Sequence, residues 1–106
     1  MLLFLDFETQ SEADLPKIGV INYLAHPSTE VLCSAWYLTD DIKKPFDPNN
    51  IGLTWFDIPW DILESNPGLT VVAHNASFEQ GVLRQFFPES LQYISDYKDT
   101  MAMASI

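Results

Sequence analysis

The chain begins with Met1-Leu-Leu-Phe-Leu-Asp6-Phe7-Glu8-Thr9, in which an apolar run leads directly into two carboxylates. Side chains alternate along a β-strand with a period of two, so Asp6 and Glu8 are predicted to leave the same face. Their Cα atoms would then lie about 6.5–7 Å apart. Residues 2–5 are apolar on both faces, which is typical of a central strand covered by helices on both sides of an α/β sheet.

Two carboxylates at the end of a central strand suggest a ligand site. Ligands of α/β sheets bind beyond the carboxyl ends of the strands, where Asp6 and Glu8 are expected to lie. Two like charges held close together disfavour each other's ionisation, and a divalent cation between them removes that penalty. Oxygen ligands suit Mg²⁺ or Mn²⁺. The alternative is a polar strand end that simply enters solvent, because an isolated Asp-x-Glu is a weak motif.

Composition indicates one small globular domain with an acidic surface. The chain has 106 residues, of which 47% are apolar and 19% charged, and this is enough for a single core. Fifteen acidic residues against five basic ones give a formal net charge of −10. That balance argues against a protein that grips phosphates through Lys and Arg. Any contact with nucleic acid is expected to use metal ions, backbone N–H groups, aromatic side chains or an attached domain.

Cysteine usage and hydropathy predict a cytoplasmic protein without a membrane partner. Cys33 is the only cysteine, so no intrachain disulfide can form and a reducing compartment is expected. No apolar run approaches the ~18 residues of a transmembrane helix. The first residues lack the basic region and long apolar run of a signal peptide.

The hydrophobic pattern predicts an α/β fold with a mixed sheet flanked by helices. Further strands are predicted at residues 30–38, 51–56, 69–73 and 93–99, and helices at 57–65, 76–87 and 101–106. Residues 17–25 fit either a short turn of helix or an irregular strand, because Leu15-Pro16 is expected to block a continuing helix. The sheet is expected to begin with three antiparallel strands and to continue with a parallel strand from Leu69.

A third acid, Glu79, falls on the apolar side of the helix predicted at 76–87. It stands at helical spacing before an inward stripe formed by Val82, Leu83 and Phe86. An unpaired buried carboxylate is costly and needs a partner. The alternative is that Glu79 merely interacts with the dipole at the helix N-terminus, where Asn75 is the predicted N-cap. Considered together with Asp6 and Glu8, Glu79 predicts a metal site at the carboxyl end of the sheet.

The same residues resemble a known enzyme family. Leu5-Asp6-Phe7-Glu8-Thr9 is similar to the first motif of the DnaQ-like, or DEDD, 3′–5′ exonucleases, and Ala73-His74-Asn75-Ala76-Ser77-Phe78-Glu79 is similar to the second. Asp99-Thr100-Met101-Ala102 resembles the helix start that usually follows. The residues of these motifs and the spacing between the motifs most resemble the proofreading exonuclease domains of bacteriophage-type family A DNA polymerases. The similarity runs through the whole chain.

The resemblance implies an RNase H-like fold and an enzyme that removes nucleotides from 3′ ends with two divalent metal ions, Mg²⁺ or Mn²⁺. In this scheme Asp6 bridges both ions, and Glu8 and Glu79 complete their ligand shells. The substrate-binding residues would be Thr9 and Asn75 at the terminal nucleotide and Phe78 at the scissile end, together with His74, which is expected to orient the turn. For Phe78, simple core packing is an equally open interpretation.

Two departures from the family pattern matter. The second motif usually ends in Asp, whereas here it ends in Glu79, whose extra methylene shifts the carboxylate. The third motif, a Tyr or His followed by an Asp, would lie past Ile106, and Asp96 and Asp99 come too early to replace it. Residues 1–106 are therefore expected to be the N-terminal part of an exonuclease domain, C-terminally truncated, from a phage or prophage polymerase.

Two other functions stay open at this point. One is a non-catalytic RNase H-like module that binds nucleic acid or a polymerase, and the other is an acidic interaction domain whose carboxylates are merely solvated. For the exonuclease, the expected partners are the 3′ end of single-stranded DNA and an attached or associated DNA polymerase. Self-association through the truncated edge is also expected.

The first testable prediction concerns the activity of the 106-residue chain alone. Losing a general base typically lowers a rate by about 10²–10⁴-fold, and a missing ligand leaves one metal ion loosely held. The charge of −10 also opposes the approach of DNA, most strongly at low salt. With Mn²⁺ and 5′-labelled single-stranded DNA, we expect almost no trimming by this chain and 3′-end trimming once the downstream segment is added. Robust trimming by the short chain that persists in Asp6→Ala would contradict both the truncation and the metal assignment.

Overall fold

The computed structural model describes residues 1–101 of the chain. Its helices and strands follow one another in the order β1 Leu2–Gln10, α1 Leu15–Ala25, β2 Glu30–Thr39, β3 Ile51–Trp55, α2 Trp60–Ser65, β4 Leu69–Ala73, α3 Ala76–Phe86 and β5 Ile94–Asp99. Short 3₁₀ helices at Pro48–Asn50 and Pro88–Tyr93 precede β3 and β5.

The strands form one mixed sheet in the order β3-β2-β1-β4-β5. β1 and β3 are both antiparallel to β2, whereas β4 is parallel to both β1 and β5. The predicted mixed sheet, with an antiparallel start of three strands and a parallel strand from Leu69, is therefore confirmed. β1 lies at its centre, as the apolar run at residues 2–5 predicts.

The partners of β1 differ in length on its two sides. β2 pairs with β1 along its whole length, with a register shift between Glu8 and Thr9. β4 pairs only as far as Phe4 opposite Val72. Beyond Phe4, β1 therefore runs past the end of β4 and lies next to the connection that leads into α3.

One face of the sheet carries the hydrophobic core. Along β1, Leu3, Leu5 and Phe7 are buried, while the residues between them are half-buried or exposed. α3 packs on the buried face through Val82 and Leu83, both fully buried in the same cluster. The ring of Phe7 stacks on that of Phe87, with centroids 6.1 Å apart. The expectation that helices cover β1 on both sides therefore holds for one face only within residues 1–101.

The segment whose structure the sequence left open is a kinked helix. Pro16 lies in the first turn of α1, where its missing N–H is not needed, so it begins a helix instead of blocking one. Gly19 interrupts α1 with φ 78° and ψ 168°, a conformation that glycine adopts without a Cβ penalty. Elsewhere the predicted boundaries shift by a few residues, α2 beginning at Trp60 and α3 ending at Phe86. The helix predicted at 101–106 lies, apart from Met101, outside the described residues.

The helices and the single cysteine can be compared with the expectations of no membrane span and no disulfide. Within residues 1–101, none of the helices has the length and apolar character needed to cross a bilayer. Cys33 is a buried free thiol, so it packs as a small hydrophobic residue.

Truncating the core between α3 and the sheet is expected to destabilise the fold strongly. Leu83→Ala removes a side chain that is 0% exposed, and such cavities typically lower the free energy of unfolding by about 2–5 kcal/mol. Ile21→Ala is the control, because Ile21 is 84% exposed and should change stability by less than about 0.5 kcal/mol. Urea denaturation measures both. Equal losses in the two variants would contradict this position of the core.

Candidate functional site

The first two predicted acids lie on β1, on the face away from the core. Asp6 and Glu8 are exposed, and Phe7 between them is buried. This alternation places both carboxylates on the same side of the strand, as its period of two requires. They also lie in the stretch where β1 runs past the last residue that pairs with β4.

The third acid reaches β1 from the helix that covers the core. Glu79 lies in the first turn of α3 and is only 4% exposed, so the predicted inward orientation is confirmed. The backbone N–H of Phe7 donates a hydrogen bond to its carboxylate. This contact is available because β4 has ended and no longer occupies that stretch of β1. Residues far apart in the sequence are thus brought together by the parallel pairing of β1 and β4.

The surroundings of Glu79 strongly disfavour its charged form. Burial raises the pKa of its carboxyl to about 8, and the negative charges of Asp6 and Glu8 contribute to the rise. The hydrogen bond from Phe7 opposes the shift without cancelling it. Its Oε2 atom is buried and has no hydrogen-bond partner within the described residues. At neutral pH and without a cation, Glu79 is therefore mostly protonated.

The turn that positions α3 is held by an aspartate from β5. Asn75 adopts a left-handed conformation, with φ 78° and ψ 63°, which Asn tolerates better than most residues. The Asp99 carboxylate oxygen Oδ1 accepts the backbone N–H groups of Asn75, at 3.0 Å, and of Met101, at 2.9 Å. Asp99 thereby connects the start of α3 to the chain that leaves β5.

Asn75 occupies the N-cap position of α3, as predicted. Its side chain, however, bonds no backbone N–H of the helix. Its Oδ1 instead accepts the hydroxyl of Ser77 at 2.9 Å. The left-handed backbone accounts for the difference, because a side-chain cap normally requires an extended residue at this position.

His74 and Thr100 join the ends of β4 and β5. The Nδ1 atom of His74 lies 3.1 Å from the hydroxyl of Thr100, and that hydroxyl also donates to the carbonyl of Ala73 at 3.4 Å. His74 is exposed. These contacts agree with the expectation that His74 orients the turn.

Thr9 and Phe78 meet through a residue that the sequence did not single out. The hydroxyl groups of Thr9 and Tyr23 are 3.0 Å apart, and the ring centroids of Tyr23 and Phe78 are 6.4 Å apart. Phe78 is half-buried against the core, so core packing accounts for its position. No local pattern points to Tyr23, which lies in the segment at residues 17–25 whose structure the sequence left open.

The carboxylates of Asp6, Glu8 and Glu79 interact, but they do not form a complete set of metal ligands. Across residues 1–101, no group of three or more His, Cys, Asp or Glu side chains is arranged so that it could hold a metal ion. The raised pKa nevertheless shows that Glu79 lies within electrostatic range of Asp6 and Glu8.

No protein-family model matches this chain, and no curated protein matches it.

The raised pKa of Glu79 predicts a specific pH dependence of stability. Between the ordinary value of 4.5 and about 8, the folded state binds one more proton than the unfolded state. This contribution to stability is fully present below pH 4.5 and is lost as pH rises through about 8, by up to ~1.4 kcal/mol per pH unit. Glu79→Gln removes it. In EDTA, urea denaturation should therefore show the variant gaining stability relative to wild type from pH 5 to pH 8.

Comparing wild type with Glu79→Gln isolates the contribution of Glu79 to stability, because both proteins contain the same other titrating groups. A difference in unfolding free energy that stays constant from pH 5 to pH 8 would contradict the protonated, buried state of Glu79.

Proposed function

We propose that this chain carries the carboxylate site of a metal-dependent 3′–5′ exonuclease of the DnaQ-like type. The observation that carries the proposal is that the buried carboxylate of Glu79 approaches Asp6 and Glu8, while its Oε2 atom has no hydrogen-bond partner among residues 1–101. A buried polar atom without a partner is destabilising. Its presence beside two further carboxylates is what a site that accepts a cation requires.

The residues fit a hard divalent cation in chemical type. All three side chains offer carboxylate oxygen, which suits Mg²⁺ or Mn²⁺. A cation would also reverse the electrostatics of the site, because it favours ionisation of Glu79 and screens the repulsion among the three charges. Without one, that repulsion opposes a closer approach of the side chains. We therefore expect the ligand set to be completed when the cation binds.

Each residue has a distinct role in the proposed reaction. Asp6, Glu8 and Glu79 would hold two divalent ions, which when bound supply an activated water and stabilise the leaving oxygen. Thr9, His74 and Asn75 would orient the 3′-terminal nucleotide. Thr9 is tied to Tyr23, and the Asn75 turn is tied to Asp99, so the substrate-binding groups are held by other elements of the fold.

The topology supports an RNase H-like assignment. The motif with Asp6 and Glu8 lies on the central strand, and the motif with Glu79 follows the parallel strand beside it. The two motifs are far apart in the sequence, yet this pairing brings them to the same end of the sheet. The single-stranded 3′ end of DNA is the proposed substrate, and an attached or associated DNA polymerase is the proposed partner.

One observation favours a second candidate function. Residues 1–101 hold no group of three or more His, Cys, Asp or Glu side chains that could bind a metal ion as placed, which suits a non-catalytic RNase H-like module. Such a module would bind nucleic acid or a polymerase without cutting. A labelled single strand separates the two candidates, because only the exonuclease shortens it from the 3′ end in a way that requires Mn²⁺ and Asp6.

Metal binding should stabilise the folded protein. A ligand at 100 times its Kd adds about 2.7 kcal/mol, and about 1 kcal/mol raises the Tm of a domain of this size by roughly 4–8 °C. We expect Mn²⁺ to raise the Tm by several degrees, with a larger effect at pH 8 than at pH 6, because Glu79 must lose its proton to bind. Differential scanning fluorimetry measures this shift.

Two variants assign the shift to the site. Asp6→Asn should remove the Mn²⁺ effect, and it should leave the metal-free protein equally or more stable because a repulsive charge is gone. Glu64→Gln removes the same charge from an exposed position on α2 and should respond to Mn²⁺ like wild type. An unchanged response of Asp6→Asn would refute the metal assignment.

A further inference from the structure

The strand register defines a large apolar surface on the side of the sheet away from the helices. Residues that pair directly across neighbouring strands share a face. Phe4 pairs with Tyr37, and Tyr37 pairs with Ile51. In the next row, Asp6 pairs with Ala35 and Ala35 with Leu53. We call this surface the open face; its apolar members include Phe4, Ala35, Tyr37, Ile51, Leu53, Trp55 and Val72.

The open face is hollowed, and several of its large side chains are exposed. A cleft of about 660 Å³ crosses it, lined among others by Phe4, Tyr37 and Leu53, with His74 and Thr100 at one end. Ile51 is 50% exposed, Leu53 51% and Trp55 65%. Phe46 stacks on Tyr37, with ring centroids 5.2 Å apart, and is itself 62% exposed. Within residues 1–101, no helix covers this surface.

The size of this patch suits an interface. An aromatic side chain can bury about 150–250 Å², so Trp55 and Phe46 each leave roughly 90–160 Å² in water at these exposed fractions. With Ile51, Leu53 and the rest of the open face, the apolar patch is on the order of 500 Å². A stable interface buries about 800 Å² per partner including its polar rim. The patch therefore supplies the apolar centre of an interface of ordinary size.

We propose that the open face binds a second copy of this chain, face to face, as a two-fold symmetric dimer. A two-fold interface brings the same patch together on both subunits, and an apolar centre is complementary to itself. Two twisted sheets packed in this way lie about 10 Å apart with their side chains interdigitated. The pairing covers Trp55, Leu53 and Ile51 of both copies.

Charge distinguishes a second copy from other partners. The chain carries a net charge of −10, so its overall field repels a phosphate backbone unless a cation is bound. Two copies also repel each other, but the attraction between apolar centres does not depend on charge. Salt shortens the range of the repulsion, so a dimer becomes tighter as NaCl increases. A basic partner would show the opposite dependence.

Sedimentation velocity of the full 106-residue chain tests the proposal. We expect a concentration-dependent shift from monomer to dimer in the micromolar range, with a lower dissociation constant at high NaCl than at low NaCl. The fluorescence of Trp55 provides a second measurement. Wild-type emission should move to shorter wavelength as the dimer forms, and most of this movement should be absent in Trp55→Phe.

Paired variants locate the interface. Leu53→Lys should raise the dissociation constant at least tenfold, because it buries a charge at the centre of the open face. Ile21→Lys makes the same change in charge on α1, at a residue that is 84% exposed, and should dimerise like wild type. Ile51→Lys is the second open-face variant, used if circular dichroism shows that Leu53→Lys does not fold.

These experiments decide the dimer proposal, and their failure can be distinguished from failure of the exonuclease proposal. A monomer at all concentrations, or a dimer that survives in the folded open-face variants, overturns the inference. Dimerisation that weakens as NaCl increases overturns it as well. Glu79→Gln should dimerise like wild type, because Glu79 is buried in the first turn of α3 and is not part of the open face, whereas its Mn²⁺ response should fall. The dimer and the metal site can therefore fail independently.

Discussion

The burial of one carboxylate sets the character of this domain. Glu79 lies almost wholly out of water beside Asp6 and Glu8, so its ionised form is unfavourable and its pKa rises to about 8. The metal-free fold is most stable when the site is least charged. Any chemistry that needs three ionised carboxylates must therefore bring positive charge with it, and a divalent cation meets that need.

That burial depends on where the strands stop. β4 pairs with β1 only as far as Phe4, so the backbone of Phe7 is free to donate to Glu79. A longer β4 would occupy the same stretch of β1 and keep α3 away from it. The position of the acids at the end of the sheet is thus a consequence of strand length as much as of residue type.

The two faces of β1 have different surroundings, one buried in the core and the other exposed. Leu3, Leu5 and Phe7 point into the core, and the residues between them point to the open face. Because Asp6 is one of these residues, the carboxylates and the apolar patch share a border. A partner that covers the open face would therefore also change the access of solvent and ligands to Asp6, without contacting the buried side of Glu79.

The sequence by itself determined the features that local periodicity encodes. Alternation in residues 2–8 was enough to place Asp6 and Glu8 on one face, and the spacing of Glu79 with Val82 and Leu83 was enough to turn it inward. The positions of the strands followed, within a few residues, from the apolar runs. In each case the signal lies within a few residues of the feature that it predicts.

Only the tertiary structure decided the features that depend on distant partners. Asp99 holds the Asn75 turn, and Tyr23 bonds Thr9, across separations that no local pattern records. Leu15-Pro16 was expected to block a helix, yet Pro16 lies in the first turn of the kinked helix α1, which packs against α3. The sequence predicted helices on both faces of the sheet, because residues 2–5 are apolar on both sides, whereas the helices of residues 1–101 cover one face. Burial is a property of the assembled layers, and a strand apolar on both faces fits either arrangement.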